Sequence, residues 1–364
     1  MSERNTYTPT YALAPGEVLL EHLEHASMSQ AELSERVGLS RKHINKIVSG
    51  EAPIEPATAI DLESVFGLPA NIWMGLEARY QEAKARISEA SEMEAEAAWL
   101  ERIPVRAMQK LKWIPNVRGD VELVKSLREY FGVASLDFLP EVWGKVSAAY
   151  RKTDGFGNQQ WALLAWLRQG EKEVLNRKCA AFDPARVKGG LDELKQYSLL
   201  PEVKFIPPLV EHCSLLGIAL VFVPAPPGAG ASGAARWINK DKALIQLSLR
   251  YKTDDHLWFT FFHEVGHLLL HGKRFQFVDF DGGDATSSCE LEANEFAATS
   301  LIPTEALDEF VRTNDFSDSA VRAFANHLRI APGIVVGQLQ RKEMIRWNQL
   351  NHLKRRFAWS ETAR

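Results

Sequence analysis

The sequence predicts a mainly α-helical chain of α+β class, with one small sheet set among helices toward its C-terminal half. Three observations carry that expectation. Short amphipathic segments broken by Gly and Ser run from Gly16 to about Ala70, an Ala-, Glu- and Arg-rich helical pattern follows to Ile103, and further helical pattern runs from Phe131 to Leu200. After Pro208 the period changes to short β-branched or alternating runs separated by Pro and Gly.

Composition bounds the possibilities. A chain of 364 residues exceeds what one hydrophobic core organises, so two or three domains are expected. With 46% apolar and 25% charged residues and a formal charge of −4, the chain reads as globular, and any nucleic-acid surface must be local. No run of about 18 apolar residues occurs, and "MSERNTYTPTYALAPGE" lacks the apolar core of a signal peptide, so the expected location is cytoplasmic, with no membrane partner. Cys179, Cys213 and Cys289 are far apart and form no C-x-x-C pair, which supports neither a disulfide framework nor a cysteine zinc knuckle.

Taken in order, "MSQAELSERVGLSRKHINKIVSGE" has the grammar of a helix-turn-helix. Ser29-x-x-Glu32 is a capping box, Val37-Gly38-Leu39 makes a turn, and Ser40 caps a second helix ending near Gly50. That helix buries Ile44, Ile47 and Val48 and leaves Arg41, Lys42, His43, Asn45 and Lys46 outward, where they suit phosphates and base edges. Ser29 to Gly50 holds four Lys/Arg against two Glu, locally positive on an acidic chain. The plain alternative is a helical hairpin with a solvated charged face.

Ala70 to Ile103 reads as one long exposed connecting helix, and Phe131 to Leu200 as helices that pack and space the two ends. The expected domains are 1–95, 96–204 and 205–364. "GIALVFVP", "GAARWI" and "KALIQLSL" read as strands. The Gly-rich Pro224 to Ala235 has no Gly-Lys-Ser/Thr ending and no helix after it, so it reads as a loop between strands rather than a phosphate cradle. A helix from Asp254 or Asp255 to His271 follows, with an Asp cap and Gly272 as its stop, and another runs from about Ser287 to Leu301 before Pro303.

The first of these helices carries "FFHEVGHLLLHG", Phe261 to Gly272. His263 and His267, four apart, share one helix face and can reach a single ion. Glu264 lies about 100° round the helix, placed to reach a water on the metal's open position and act as general base. The surrounding Phe and Leu residues make this a core helix, and buried imidazoles with a carboxylate need a partner that a cation supplies. A third ligand is expected from "CELEANEFAATSLIP". Glu290 shares its small, apolar face with Ala293, Asn294, Ala297 and Leu301, whereas Glu292 and Glu295 lie on the polar face. Glu290 is therefore the favoured ligand, with Asn294 one turn on to orient a ligand. Glu292 stays the alternative, because Ser287-x-x-Glu290 also fits a capping box. His271 is one turn too far along a straight helix to share the ion and reads as a helix-end histidine favoured by the dipole. His256 has no assigned role. Two histidines and a carboxylate favour Zn2+, with Mn2+ as the alternative.

The run from "DKALIQLSLRYKTDDHLWFTFFHEVGHLLLHGKR" to "ELEANEFAATSLIP" resembles the ImmA/IrrE metallopeptidases over roughly Phe205 to Pro303. The resemblance implies a zincin fold of gluzincin type, a small sheet beside two catalytic helices, with His263 and His267 as metal ligands, Glu264 as catalytic residue and Glu290 as the carboxylate ligand. The stretch "PGEVLLEHLEHASMSQAELSERVGLSRKHINKIVSGEAPIEPATAIDLESVFGLPANIWMGLEARYQ" resembles the HigA-type antitoxins of the Xre helix-turn-helix class. That implies a five-helix, often dimeric operator-binding module, in which Gln30, Ser40, Arg41, Lys42, Asn45 and Lys46 touch DNA. Together the resemblances imply a regulator held at an operator that cleaves a dedicated repressor or toxin partner. The other reading is a proteolytically silent repressor that keeps the zincin fold for sensing or partner binding.

Overall fold

Helix boundaries near the N-terminus follow side-chain capping. After α1 (Pro15–His25), the Ser29 hydroxyl accepts from the Glu32 N–H at 3.1 Å and opens α2 (Gln30–Val37), which Gly38 closes at φ +70°. Ser40 accepts from the His43 N–H at 3.2 Å and opens α3 (Arg41–Val48). Two more helices, α4 (Pro56–Phe66) and α5 (Ala70–Ala95), complete five helices around Leu19, Leu33, Ile44, Ile47, Leu62 and Trp73. Gly16 is required where α1 meets the end of α3: a Cβ there would lie 2.3 Å from the Ile47 carbonyl oxygen. The buried Glu77 of α5 accepts from the Ile54 N–H at 3.0 Å and fixes the loop before α4. The long helix expected to reach Ile103 ends at Ala95 and tightens into a 3-10 turn, Glu96–Glu101. Within that turn Trp99 is buried and donates from its ring N–H to Asp137 at 2.7 Å, so tertiary packing overrides the helical propensity.

The structure, a computed structural model, describes residues 12–142, 159–272, 277–280 and 288–359. The chain divides into two compact units, Met1–Ala97 and Ala98–Arg364. The second begins with α6 (Val105–Lys110), α7 (Asp120–Phe131), α8 (Gln159–Val174), α9 (Pro184–Gln196) and α10 (Glu202–Leu215). The strands β1 (Ile218–Phe222), β2 (Ala231–Trp237) and β3 (Ala243–Leu247) follow, so the Gly-rich segment is loop only up to Gly230. Next come α11 (Asp254–Leu270), β4 (Phe277–Phe280) and α12 (Ser288–Leu301), and then α13 (Thr304–Arg312), α14 (Asp318–Leu328) and α15 (Pro332–Arg341). The sheet order is β1-β3-β2-β4, with β1 parallel to β3 and β2 antiparallel to both its neighbours.

Alternation along the strands divides two cores. Ala219, Val221, Ala234 and Leu244 face Leu163, Trp166 and Leu167 of α8, while Ile218, Leu220, Ala235 and Ile245 face Phe261, Phe262 and Val265 of α11. Helix α8 is therefore one layer over the sheet. Buried polar groups pin it there. Gln246 donates to the Trp166 carbonyl at 2.7 Å, Arg236 donates to Glu171 at 2.9 Å and to the Leu167 carbonyl at 2.7 Å, and Gly170 leaves room for the Gln246 side chain.

Helix α11 starts at a Thr253 cap rather than an Asp cap. Asp254 and Asp255 are instead buried. Asp255 pairs with Lys354 at 2.6 Å, and the Asp254 N–H donates to the Arg355 carbonyl at 3.0 Å, so a segment far downstream straps the helix start. Burial pushes the Asp254 carboxyl up to about 6, with the Asp255 charge adding and the Arg355 backbone opposing. A raised acid favours the protonated folded state, so this group's stabilisation is full below the usual carboxylate range and is lost as pH rises through about 6. Asp254→Asn is expected to flatten the stability profile between pH 4 and 7 and to stabilise the protein at pH 7.5 by up to roughly 3 kcal/mol in urea unfolding. An unchanged profile would remove Asp254 as its source.

Candidate functional site

Thirteen residues of α11 are buried, and two of them, His263 and His267, converge with a carboxylate of α12. The His263 and His267 Nε2 atoms stand 2.9 Å apart at the core of the second unit. Glu290 reaches across from α12 with Oε2 at 3.2 Å from His263 Nε2 and Oε1 at 3.3 Å from His267 Nε2. One ligand atom from each of the three lies within 4.8 Å of the others. The approach of α12 depends on small residues: a Cβ at Gly266 would meet the Phe296 ring at 2.9 Å and the Ala293 Cα at 3.4 Å. Glu292 points away, largely exposed, to His271 Nε2 at 3.2 Å. Ser287, the cap that would have competed for Glu290, lies outside the described residues.

The charge state suits a cation. Burial pushes the Glu290 carboxyl up, but hydrogen bonds and charge from His263 and His267 outweigh it and hold the group down at about 2. Burial, together with the neighbouring His263 and His271, pushes His267 below the usual histidine range against the pull of Glu290. An ionised carboxylate facing a neutral imidazole is the form that binds metal. Two Nε2 lone pairs 2.9 Å apart have no proton-free way to satisfy each other. A tetrahedral ion at about 2.0–2.1 Å from each nitrogen would hold them roughly 3.3 Å apart, an opening of a few tenths of an ångström. The donor set therefore fits zinc.

The neighbours orient this set. His271, the C-cap of α11, places Nδ1 3.0 Å from His267 Nδ1 and is held by Glu292, so it sits behind a candidate ligand rather than idle at a helix end. The i+4 spacing from His267 was the available signal. Glu264 is fully buried, and β2 approaches it at Gly233, where a Cβ would stand 2.4 Å from Oε1 and 2.6 Å from the Thr260 methyl. Asn294 is half-buried one turn beyond Glu290, and no hydrogen bond joins it to His263, His267 or Glu290 among the described residues. His256 stacks on Tyr251, with ring centroids 4.3 Å apart.

In the first unit, Arg41, Lys42, Asn45 and Lys46 share the exposed side of α3, opposite the buried Ile44 and Ile47. Ser40 is exposed, with its hydroxyl committed to the helix cap, and Gln30 is half-buried at the first position of α2. His43 and Val48 are both half-buried, not fully outward and inward as the pattern suggested, because α3 is only two turns long and its rim is shared.

Comparison with known proteins matches residues 19–73 to the helix-turn-helix family and residues 213–335 to the IrrE N-terminal-like domain of the M78 peptidases. Among solved structures, the chain is similar to the Pseudomonas aeruginosa antitoxin HigA, solved with the higBA promoter, at 31% identity, covering 24% of this chain and 95% of that one with a TM-score of 0.22. A HigA-family addiction module antidote protein from Coxiella burnetii matches at 27% identity over 23% and 94% of the two chains, with a TM-score of 0.22. No curated protein matches the chain. The chain joins a helix-turn-helix module to an IrrE-like domain.

Helix α11, α12 and all of β1–β4 fall inside the matched stretch of the IrrE-like domain, whereas α8, which covers the sheet's other face, lies upstream of it. Elemental analysis is expected to find one equivalent of zinc in the IrrE-like domain of the purified chain, lost in His263→Ala and Glu290→Ala and kept in Glu292→Ala. Loss in Glu292→Ala with retention in Glu290→Ala would reverse the choice of carboxylate.

Proposed function

We propose that this chain is an operator-binding regulator whose IrrE-like domain is a zinc-dependent endopeptidase acting on one dedicated protein partner, a repressor or toxin. The observation that carries the reading is the convergence of Glu290 with the two imidazoles beside a buried Glu264. His263, His267 and Glu290 would hold the ion, with manganese the alternative to zinc. When bound, the ion supplies Lewis-acid polarisation of the scissile carbonyl and of water.

Glu264 then does the proton work. Its carboxylate takes a proton as the water oxygen attacks the carbonyl carbon, and returns it to the amide nitrogen as the C–N bond breaks. Thr260 and Gly233 confine that carboxylate, so it is pre-oriented. Asn294 would steady a ligand from one turn away. Glu264→Gln is expected to retain fold and metal while cleavage of the partner falls at least about 100-fold, read by gel shift of the partner after incubation. Full cleavage by that variant would remove Glu264 from the mechanism. Absence of cleavage in the wild type against every protein encoded nearby would leave the silent-repressor reading.

The N-terminal module would place α3 in a major groove, with Arg41, Lys42, Asn45 and Lys46 toward the DNA and Gln30 and Ser40 at helix N-termini beside phosphates. A homodimer on a two-fold operator, in the cytoplasm, fits this arrangement. Replacing Arg41 and Lys42 with Ala is expected to weaken operator binding and lower its salt slope by up to about two, since each phosphate contact contributes about 0.9. An unchanged slope would exclude α3 as the contact element.

A further inference from the structure

A cleft of about 1130 Å³ opens in the second unit where β3 ends and β2 begins. Its rim carries Arg106 and Lys110 from α6 and Arg250 and Lys252 from the loop before α11, and no carboxylate lines it among the described residues. Arg106, Lys110 and Lys252 have no ion pair among the described residues, on a chain whose formal charge is −4. Between these cations lie apolar surfaces from Leu111, Pro226, Pro227 and Trp359. Four cations around an apolar floor complement a ligand that is both acidic and apolar.

The loop that supplies two of the cations is held in an uncommon shape. Leu249 at φ +54° and Lys252 at φ +58° are both left-handed non-glycine residues. Such conformations persist only where the surroundings impose them, and the Phe357 N–H donates to the Lys252 carbonyl at 2.8 Å. The Arg250 guanidinium lies 5.4 Å from the Tyr251 ring centre and bonds the Gly230 carbonyl across the cleft. The cations are thus displayed from an ordered wall.

One wall of the cleft also borders helix α11, whose first turn lies about two turns from Glu264. Arg250 and Lys252 also line a recess of about 10 Å³, room for one water, together with His256 and Thr260 of α11. His256, Thr260 and Glu264 recur at intervals of four on one helix stripe, and Thr260 and Glu264 meet the same Gly233. Two helical turns separate His256 from Glu264, about 12 Å, which three or four residues of extended peptide span at roughly 3.3 Å each.

Resting on the endopeptidase reading above, we infer that this cleft binds an acidic, partly apolar stretch of the polypeptide substrate, a few residues to one side of the bond that is cut. The test uses the full chain carrying Glu264→Gln, loaded with zinc, and fluorescein-labelled decapeptides containing four Glu among Leu and Ala, or Gln in their place. Anisotropy is expected to show the Glu peptide binding at least about tenfold tighter than the Gln peptide, with affinity falling as salt rises. Arg106→Gln with Lys110→Gln, and separately Arg250→Gln with Lys252→Gln, are each expected to weaken it about fivefold or more. Lys188→Gln with Lys204→Gln, exposed elsewhere, serves as the charge-matched control. Equal binding of the two peptides, or equal loss in the control, overturns the inference. So does cation-dependent binding of inorganic triphosphate, read by calorimetry, when the peptide itself does not bind, which would make the cleft a small-anion site. Binding is read without hydrolysis, so peptide binding by a chain that cuts no partner fails only the endopeptidase reading. Cutting of a partner without cation-dependent peptide binding fails only this one.

Discussion

The close approach of α12 to α11 at Gly266 is the constraint on which the rest of the site depends. A carboxylate can span two imidazoles one helical turn apart only if its helix comes nearly backbone to backbone with theirs, and Gly266 and Ala293 supply that clearance. The apolar residues of α11 then matter as much as the ligands. Phe261, Phe262 and Val265 press against the sheet, so the histidine face turns toward α12 and not toward solvent. The ionised Glu290 is held far below its usual range by the same two rings that face it. The site is electrostatically self-consistent because a buried carboxylate and its neighbours settle one another's protonation.

The sheet works as a spacer between two kinds of packing. Its α11 face is apolar and glycine-notched, whereas its α8 face is locked by buried amide and guanidinium groups such as Gln246 and Arg236. Losing one partner of such a network costs more than losing an apolar contact of similar size, because it strands a buried donor. Rigidity at Gly233 and Glu264 is therefore inherited from residues on the opposite side of the sheet.

Much of this was legible in the chain itself. The i, i+4 histidines, the capping serines at Ser29 and Ser40, and the change of period near Pro208 each express a local rule, and local rules survive folding. Face assignment on α12 separated Glu290 from Glu292 for the same reason. What escaped was non-local. Nothing in "WALLAWLRQGEKEVL" announces that α8 covers a sheet lying some forty to eighty residues downstream. The end of α5 at Ala95 reflects the burial of Trp99, and the Thr253 cap reflects the burial of Asp254 and Asp255 by a distant strap. His271 looked like a helix end because its partner Glu292 belongs to another helix.

The strap at Lys354 to Phe357 has a consequence for how the two units arise in time. The five-helix module needs nothing beyond its own residues to close its core, and it leaves the ribosome early. Helix α11 cannot secure its first turn until residues far downstream have been made, because Asp254, Asp255 and Lys252 all take partners from that segment. A nascent chain therefore carries a folded helix-turn-helix module well before the helix that bears His263, Glu264 and His267 is fixed at its start.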